Sequence, residues 1–336
     1  MNHMEIDFVV LWVDGSDPVW QAEKRKYQGS KTDDSNSVNR YRDWGLLPYW
    51  FRAVEQFAPW VRKVHFVTWG HLPEFLDTDA PKLHIVRHDE FIPEEYLPTF
   101  SSHAIEMNIH RIPGLAEHFV YFNDDMFLLK PFEEVDFFRN GLPCTYGGEV
   151  PIELTGEIGI WRHAAVNDLG LVNAHFPKRQ AVAKYGKKYR DKSYRWKDNV
   201  RTLILEKLFP DYFTGFKNIH APAAYLKRTF QEIWEAEPLK LDATCRNRFR
   251  TSDDVNQWAA LWWQVAGGRF SPAVIDNLVA KIAEETIDEL CDVIENQKHA
   301  YICLNDPEEE IDFQKLSRRL QEAFERILPD KSRFEC

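Results

Sequence analysis

A doubly wound α/β fold is predicted by three features of the sequence. Ile6 to Val13, IDFVVLWV, is a near-continuous apolar run of the kind a central parallel strand shows, broken only by Asp7 near its start. Short apolar runs then alternate with helix-like segments as far as Phe132. Several of these runs stop in polar residues at the carboxyl ends of the expected strands, where open α/β sheets place their ligand crevice.

In chain order, the first strand ends in Asp14-Gly15-Ser16-Asp17-Pro18. Two readings stand: a plain Asp-Gly turn, or Asp14 and Asp17 facing a bound nucleotide with Gly15 allowing close backbone approach. Residues 21–39 are polar and read as a mobile loop able to act as a lid. Arg40 and Arg42 stand where a phosphate-binding pair would, although exposed arginines are common. They precede a helix-like segment from Leu46 to Phe57. Val61 to Thr68 and Leu83 to Val86 read as further strands. Ser102 is read as able to cap a helix that places Ile105 and Ile109 on one face and Glu106 and His110 on another, before Pro113-Gly114 ends it.

Phe119 to Phe122 then forms a buried strand that runs into Asn123-Asp124-Asp125, after which Met126 to Leu129 is apolar again. Two adjacent carboxylates there repel each other and are costly to desolvate unless a cation or a set of donors compensates them. A divalent metal satisfies that demand, and a local turn is the alternative. Past Phe132 the sheet pattern weakens, and residues 135–215 read as an inserted lobe. A histidine, His220, precedes a helix-like stretch from Ala223 to Glu235; most lone histidines are structural, so its neighbours decide its role. In TCRNRFRTSDD, Arg246, Arg248 and Arg250 alternate, and in an extended segment they would form one positive patch suited to phosphate oxygens. Ser252 is expected to cap an aromatic helix from Val255 to Val265, with helices near Ala273–Glu284 and Thr286–Gln297. Tyr301 to Asn305-Asp306 repeats the pattern of an apolar strand ending in Asn-Asp, and an amphipathic helix from Phe313 to Ile327 follows.

With 336 residues, 44% of them apolar, the chain can bury a large core as one big or two modest domains. Fourteen per cent aromatic residues, with twelve Trp, suit either ring-stacking surfaces or core filling. A net charge of −11 argues against general nucleic-acid binding. Ten basic residues between Lys178 and Arg201 face only Asp191 and Asp198, which reads as a solvated mobile surface or a landing strip for an anionic polymer or membrane face. Five scattered cysteines without a CxxC pair favour a reduced, cytoplasmic setting. Neither a signal-peptide pattern nor a run long enough to span a bilayer is present, so a soluble chain is expected.

Together these motifs resemble the Stealth family of sugar-1-phosphate transferases. IDFVVLWVDGSDPVW at 6–20 resembles its first block, and the run from Arg40 through FSSHAIEMNIHRIPGL to YFNDDMF its second. HAP at 220–222 with TCRNRFRTSDD resembles the third, and YICLND with PDKSRFE the last. Trp69-Gly70-His71, His103 and Leu46-Leu47-Pro48 depart from the family pattern at positions that bear on donor-sugar or acceptor contacts.

The resemblance implies a nucleotide-sugar-transferase-like (GT-A or Rossmann-like) mixed sheet with an inserted lobe and C-terminal helices, forming a single catalytic domain whose active site residues 216–336 complete. It implies transfer of a sugar-1-phosphate from a UDP-sugar to a glycan hydroxyl with release of UMP, assisted by Mg2+ or Mn2+, in capsule or exopolysaccharide synthesis. On that footing Asp124, Asp125 and Asp306 would ligate the metal, with Asn123 and Asn305 holding this shell. Arg246, Arg248 and Arg250 would neutralise phosphate charge. His220 would be the general base, because histidine ordinarily titrates near neutrality, with His110 and Glu106 as reserves. Asp14, Gly15, Asp17, Arg40, Arg42 and Ser102 would contact the nucleotide. By analogy with bacterial members, the expected place of work is the cytoplasm, peripheral to the inner membrane face.

Overall fold

The computed structural model describes residues 4–28, 43–154, 159–217, 220–307 and 309–336. The chain opens with strand β1 (Ile6–Leu11) and helices α1 (Pro18–Tyr27) and α2 (Leu47–Phe57). Strands β2 (Val64–Thr68) and β3 (Leu83–Arg87) follow, then α3 (His88–Phe91) and α4 (Ser102–Asn108). Next come β4 (His118–Asn123), β5 (Met126–Leu128), α5 (Glu134–Phe137), β6 (Phe138–Arg139) and β7 (Leu142–Thr145). Three helices, α6 (Ile160–His175), α7 (Lys178–Tyr189) and α8 (Trp196–Leu208), precede β8 (Ala223–Leu226) and α9 (Lys227–Ala236). The chain closes with α10 (Pro238–Arg246), α11 (Gln257–Ala266), β9 (Ser271–Pro272), β10 (Asn277–Lys281), α12 (Ile287–Glu295), β11 (Tyr301–Asn305) and α13 (Phe313–Ile327).

The main sheet has the order β3-β2-β1-β4-β8, parallel except for β8, which runs antiparallel beside β4. β1 is central, which explains its unbroken apolar character: alternate side chains feed two cores on opposite faces. Phe8 and Val10 join Val120, Phe122, α2 and α13 on one face, whereas Val9 joins Phe119, Tyr121, α9 and α11 on the other. Helices on both faces of a mixed, mainly parallel sheet are the α/β architecture expected from the sequence. A second sheet, β10-β11-β5, pairs β10 with β11 in parallel and β11 with β5 antiparallel.

The break at Asp7 is a tether rather than a flaw. Its fully buried carboxylate accepts from Arg62 Nε at 2.8 Å and Nη2 at 2.6 Å and from the Ala116 backbone N–H at 2.8 Å, and it pairs with His65 Nε2 at 2.9 Å. Burial alone would raise the Asp7 pKa; the bonds from His65, Arg62 and Ala116 outweigh it and hold the carboxyl below its ordinary value. The ionised group therefore stabilises the fold above the unfolded-state value, and that contribution is lost as the pH falls through the lower folded value. Asp7→Ala is expected to cost about 3 kcal/mol in urea denaturation at neutral pH, because it leaves the half-buried Arg62, the buried His65 and the Ala116 N–H without their shared acceptor. A loss below about 1 kcal/mol would contradict this account.

Several expectations are corrected. Residues 21–27 of the expected loop belong to α1, with Asp17 as its N-cap and Gln28 as its C-cap; residues 29–39 lie outside the described residues, as do Arg40 and Arg42. Ala223–Leu226 is strand rather than helix, held by pairing to the sheet edge, and the helix starts at Lys227. The helix expected at Ala273–Glu284 is instead strand β10, because Leu278 and Ala280 pack on the core from a parallel ladder with β11. Short apolar runs of this kind do not reveal their period. Asn256, not Ser252, caps α11, its side chain accepting from Trp258 N, and Ser102 is the first residue of α4 rather than its cap, a place that Ser101 takes.

The basic run is folded into α7 and the start of α8 rather than loose. Lys178 is buried and paired with Glu149 at 2.7 Å, Lys188 donates to the Gly268 and Phe270 carbonyls, and Arg190 pairs with Glu206. All five cysteines are free thiols, four of them buried. Among the described residues, no helix is long and apolar enough to cross a membrane.

Candidate active site

Two distant chain segments meet because of one antiparallel pairing. Cys303 of β11 lies opposite Met126 of β5, so the residues just beyond β11 meet those just before β5. The Leu304 N–H donates to the Asp125 carbonyl at 3.0 Å, and Asp306 is carried to the cavity that Asp124 and Asp125 line. That cavity, about 120 Å³, is also bounded by Trp12 and Val13 at the end of β1 and by Asp43, Trp44, Leu46 and Leu47 before α2. Trp44 Nε1 donates to Asp306 Oδ1 at 2.6 Å. His220, from the segment before β8, lies beside Asp125, its Nε2 3.7 Å from Asp125 Oδ2.

Four aspartates around so small a space set the electrostatics. Burial first, then the charges of Asp125, Asp306 and Asp43, push the Asp124 pKa up to about 7. Asp124 keeps contact with solvent at the cavity mouth, which moderates the burial part; the crowding by like charges does not depend on it. Asp125 Oδ1 is inaccessible and has no hydrogen-bond partner. A buried acceptor without a donor, amid surplus negative charge, is the arrangement a hard divalent cation completes, and carboxylate oxygens are the ligands such cations take. The volume suits a cation with a few waters, and a nucleotide-sugar has to extend beyond it.

Asp125, His220 and Cys303 also offer ligand atoms within 4.8 Å of one another. Burial and the Asp125 and Asp124 carboxylates push the Cys303 thiol well above its ordinary pKa, so sulfur is the poorer ligand here and the aspartates the better set.

The models for Stealth protein conserved regions 1 and 2 match residues 4–32 and 40–144. A capsular polysaccharide phosphotransferase WcwK of Streptococcus pneumoniae is 39% identical over 333 residues, 98% of each chain. The chain belongs to the Stealth family. A receptor polysaccharide phosphotransferase WefC of Streptococcus gordonii is 38% identical over 98% of this chain and 99% of its own length. An exopolysaccharide phosphotransferase cps2G of Lactiplantibacillus plantarum is 35% identical over 98% and 96%.

Within this Stealth chain the remaining candidates divide. Asn123 ends β4 and accepts from Tyr121 Oη at 2.7 Å; the same hydroxyl lies 3.2 Å from Glu106 Oε1. Glu106 is buried and also accepts from the Gln257 N–H at 3.1 Å, so its contacts are those of a brace between α4, β4 and α11. His110 does not share a helical face with it, because α4 ends at Asn108 and His110 falls in a single 3-10 turn. There it packs against Phe230 and Trp234, and burial lowers its pKa to about 3. Asn305 ends β11, its Oδ1 3.6 Å from Cys303 Sγ.

The three arginines do not alternate along an extended segment. Arg246 is the last residue of α10, exposed and paired with Asp242 four residues earlier at 2.8 Å. Arg248 donates to the Pro98 carbonyl and lies 4.6 Å over the Tyr27 ring, while Arg250 donates to Ser102 Oγ at 2.8 Å. Asp14 and Asp17 close the turn after β1, Asp14 accepting from Ser16 and Asp17 capping α1 at Trp20 N. The Gly15 carbonyl accepts from Gln21 Nε2 at 2.7 Å.

Asp43, Trp44 and His71 carry parts of this region that sequence reasoning left without roles. His71 Nε2 accepts from the Asp14 N–H at 2.7 Å and fixes the β1 turn against the end of β2. The signal available for Asp43 was its place directly after Arg40-Tyr41-Arg42, but only the tertiary fold shows which cavity it faces.

Proposed function

We propose that this chain is a polysaccharide phosphotransferase that moves a sugar-1-phosphate from a UDP-sugar to a hydroxyl of a glycan acceptor, with release of UMP, in capsule or exopolysaccharide synthesis. Its relatives' names support the phosphotransferase class, and the meeting of Asp124, Asp125 and Asp306 at one cavity, with His220 beside Asp125, carries the mechanism.

Asp124, Asp125 and Asp306 would hold Mg2+ or Mn2+, which supplies charge neutralisation for the pyrophosphate and the departing UMP. Trp44 fixes the Asp306 carboxylate and the Leu304 N–H fixes the Asp125 backbone, so the oxygens are held before substrate arrives. His220 accepts the proton of the acceptor hydroxyl as its oxygen bonds to the β-phosphorus. The bond from that phosphorus to the bridging oxygen breaks, and the electron pair leaves with UMP. The turn at Asp14, Gly15 and Asp17 would face the nucleotide from the carboxyl end of β1, beside Trp12 and Val13.

Of the three arginines, Arg250, which donates to Ser102 and whose charge acts on Tyr121 beside Asn123, is the one this reading assigns to phosphate oxygens. Arg250→Ala is therefore expected to lower kcat/KM by about 10²-fold or more, and Arg246→Ala by less than about threefold, in a steady-state assay. Equal losses in the two variants would contradict that division.

The experiment that tests the reading is product analysis with UDP-sugars, Mg2+ or Mn2+ and a glycan acceptor. UMP and a phosphodiester product are expected. Release of UDP, with the acceptor joined at the sugar's anomeric carbon, would make the chain an ordinary glycosyltransferase.

A further inference from the structure

We propose that the outward face of α8 is a docking surface for an anionic lipid bilayer. Trp196, Val200, Leu203, Ile204 and Leu208 recur at helical spacing on one side of this helix, and their exposures run from 39% at Leu203 to 67% at Leu208 and 71% at Trp196. Phe209 and Tyr212 extend the exposed apolar surface past the helix end. A lone exposed Leu is ordinary; a stripe about 20 Å long is not.

The stripe is not a misplaced core face, because the opposite side of α8 already makes the folding contacts. Thr202 and Leu205 are buried there, Thr202 Oγ1 accepting from the Glu149 N–H at 3.1 Å and the Leu205 carbonyl accepting from Lys178 Nζ at 3.1 Å. The helix is fixed in place with its apolar stripe turned away.

Charge selects the occupant. Lys197 and Lys207 lie on the outward face, and Lys192 and Arg195 are exposed just before the helix. The acids of α8 are engaged at its flanks, Asp198 with Arg201 at 2.8 Å and Glu206 with Arg190 at 3.1 Å. In a chain of net charge −11 this is a local cationic and apolar surface. A symmetric contact with a second copy would set the same lysines against one another. A bilayer with anionic headgroups complements both features: the apolar stripe enters the acyl boundary, Trp196 sits at the headgroup level, and the lysines meet the phosphates.

The test is flotation of the full chain with phosphatidylcholine vesicles, with and without about 30% phosphatidylglycerol. Wild type is expected to float with the anionic vesicles only, and less so as salt rises. Ile204→Glu/Leu208→Glu and Lys197→Glu/Lys207→Glu are each expected to lose more than about tenfold of that binding. Both pairs are exposed, and circular dichroism together with turnover of a soluble acceptor, both expected to be unchanged, confirms folding. The proposal is overturned if wild type does not float, if neutral vesicles bind equally, or if both variants bind like wild type. It is also overturned if the wild type self-associates in buffer and the variants become monomeric without any vesicle binding, which assigns the face to a second copy.

Discussion

Asp125→Ala is expected to lower turnover by roughly three orders of magnitude or more while leaving the fold intact. The side chain contributes little to packing: it is partly exposed, its Oδ1 has no hydrogen-bond partner, and the structural contact at this residue is made by its backbone carbonyl with the Leu304 N–H. Alanine keeps that carbonyl. Removing the carboxylate also relieves the crowding that raises the Asp124 pKa, so thermal stability without added metal is expected to hold or rise slightly at neutral pH. The check is kcat beside a melting curve. A rate within about threefold of wild type would remove Asp125 from the chemistry, and a large fall in melting temperature would make it structural.

His220→Ala is expected to lower kcat by about 10² to 10⁴-fold with a much smaller change in KM, since a base acts on the reacting proton rather than on substrate binding. The half-exposed imidazole faces Asp125, while the His220 carbonyl, which accepts from Asn277 Nδ2 at 3.4 Å, is retained in the variant. Imidazole added to the assay is expected to restore part of the lost rate. Full activity in the variant, or a loss confined to KM, would transfer the proton to another group.

The parts of the fold that were legible in the sequence were those whose pattern is long or unbroken. The β1 run reads as a central strand because both its faces are buried, and α13 matches its expected limits because a strongly amphipathic helix carries its own period. β8 and β10 were hidden because each is short and takes its strand state from a neighbour it pairs with. Asp124, Asp125 and Asp306 could be selected from two echoing Asn-Asp strand ends, and the antiparallel register of β5 and β11 brings them together. The arginine patch failed for a local reason: α10 runs on to Arg246, so its alternation with Arg248 and Arg250 in sequence does not become alternation in space. Asp43 and Trp44 required the fold itself, since nothing in their surroundings along the chain points to Asp306.

Manganese binding by the wild type, Asp125→Ala and Asp306→Ala proteins, followed by electron paramagnetic resonance near pH 7.5 and therefore above the Asp124 pKa of about 7, tests most directly whether residues so far apart in sequence form one cation site. One tightly held Mn2+ per wild-type chain is expected, weakened at least about tenfold by either substitution and weakened in wild type as the pH is lowered and protons compete for Asp124. Wild-type affinity in Asp306→Ala, or no bound Mn2+ in the wild type, would contradict the account.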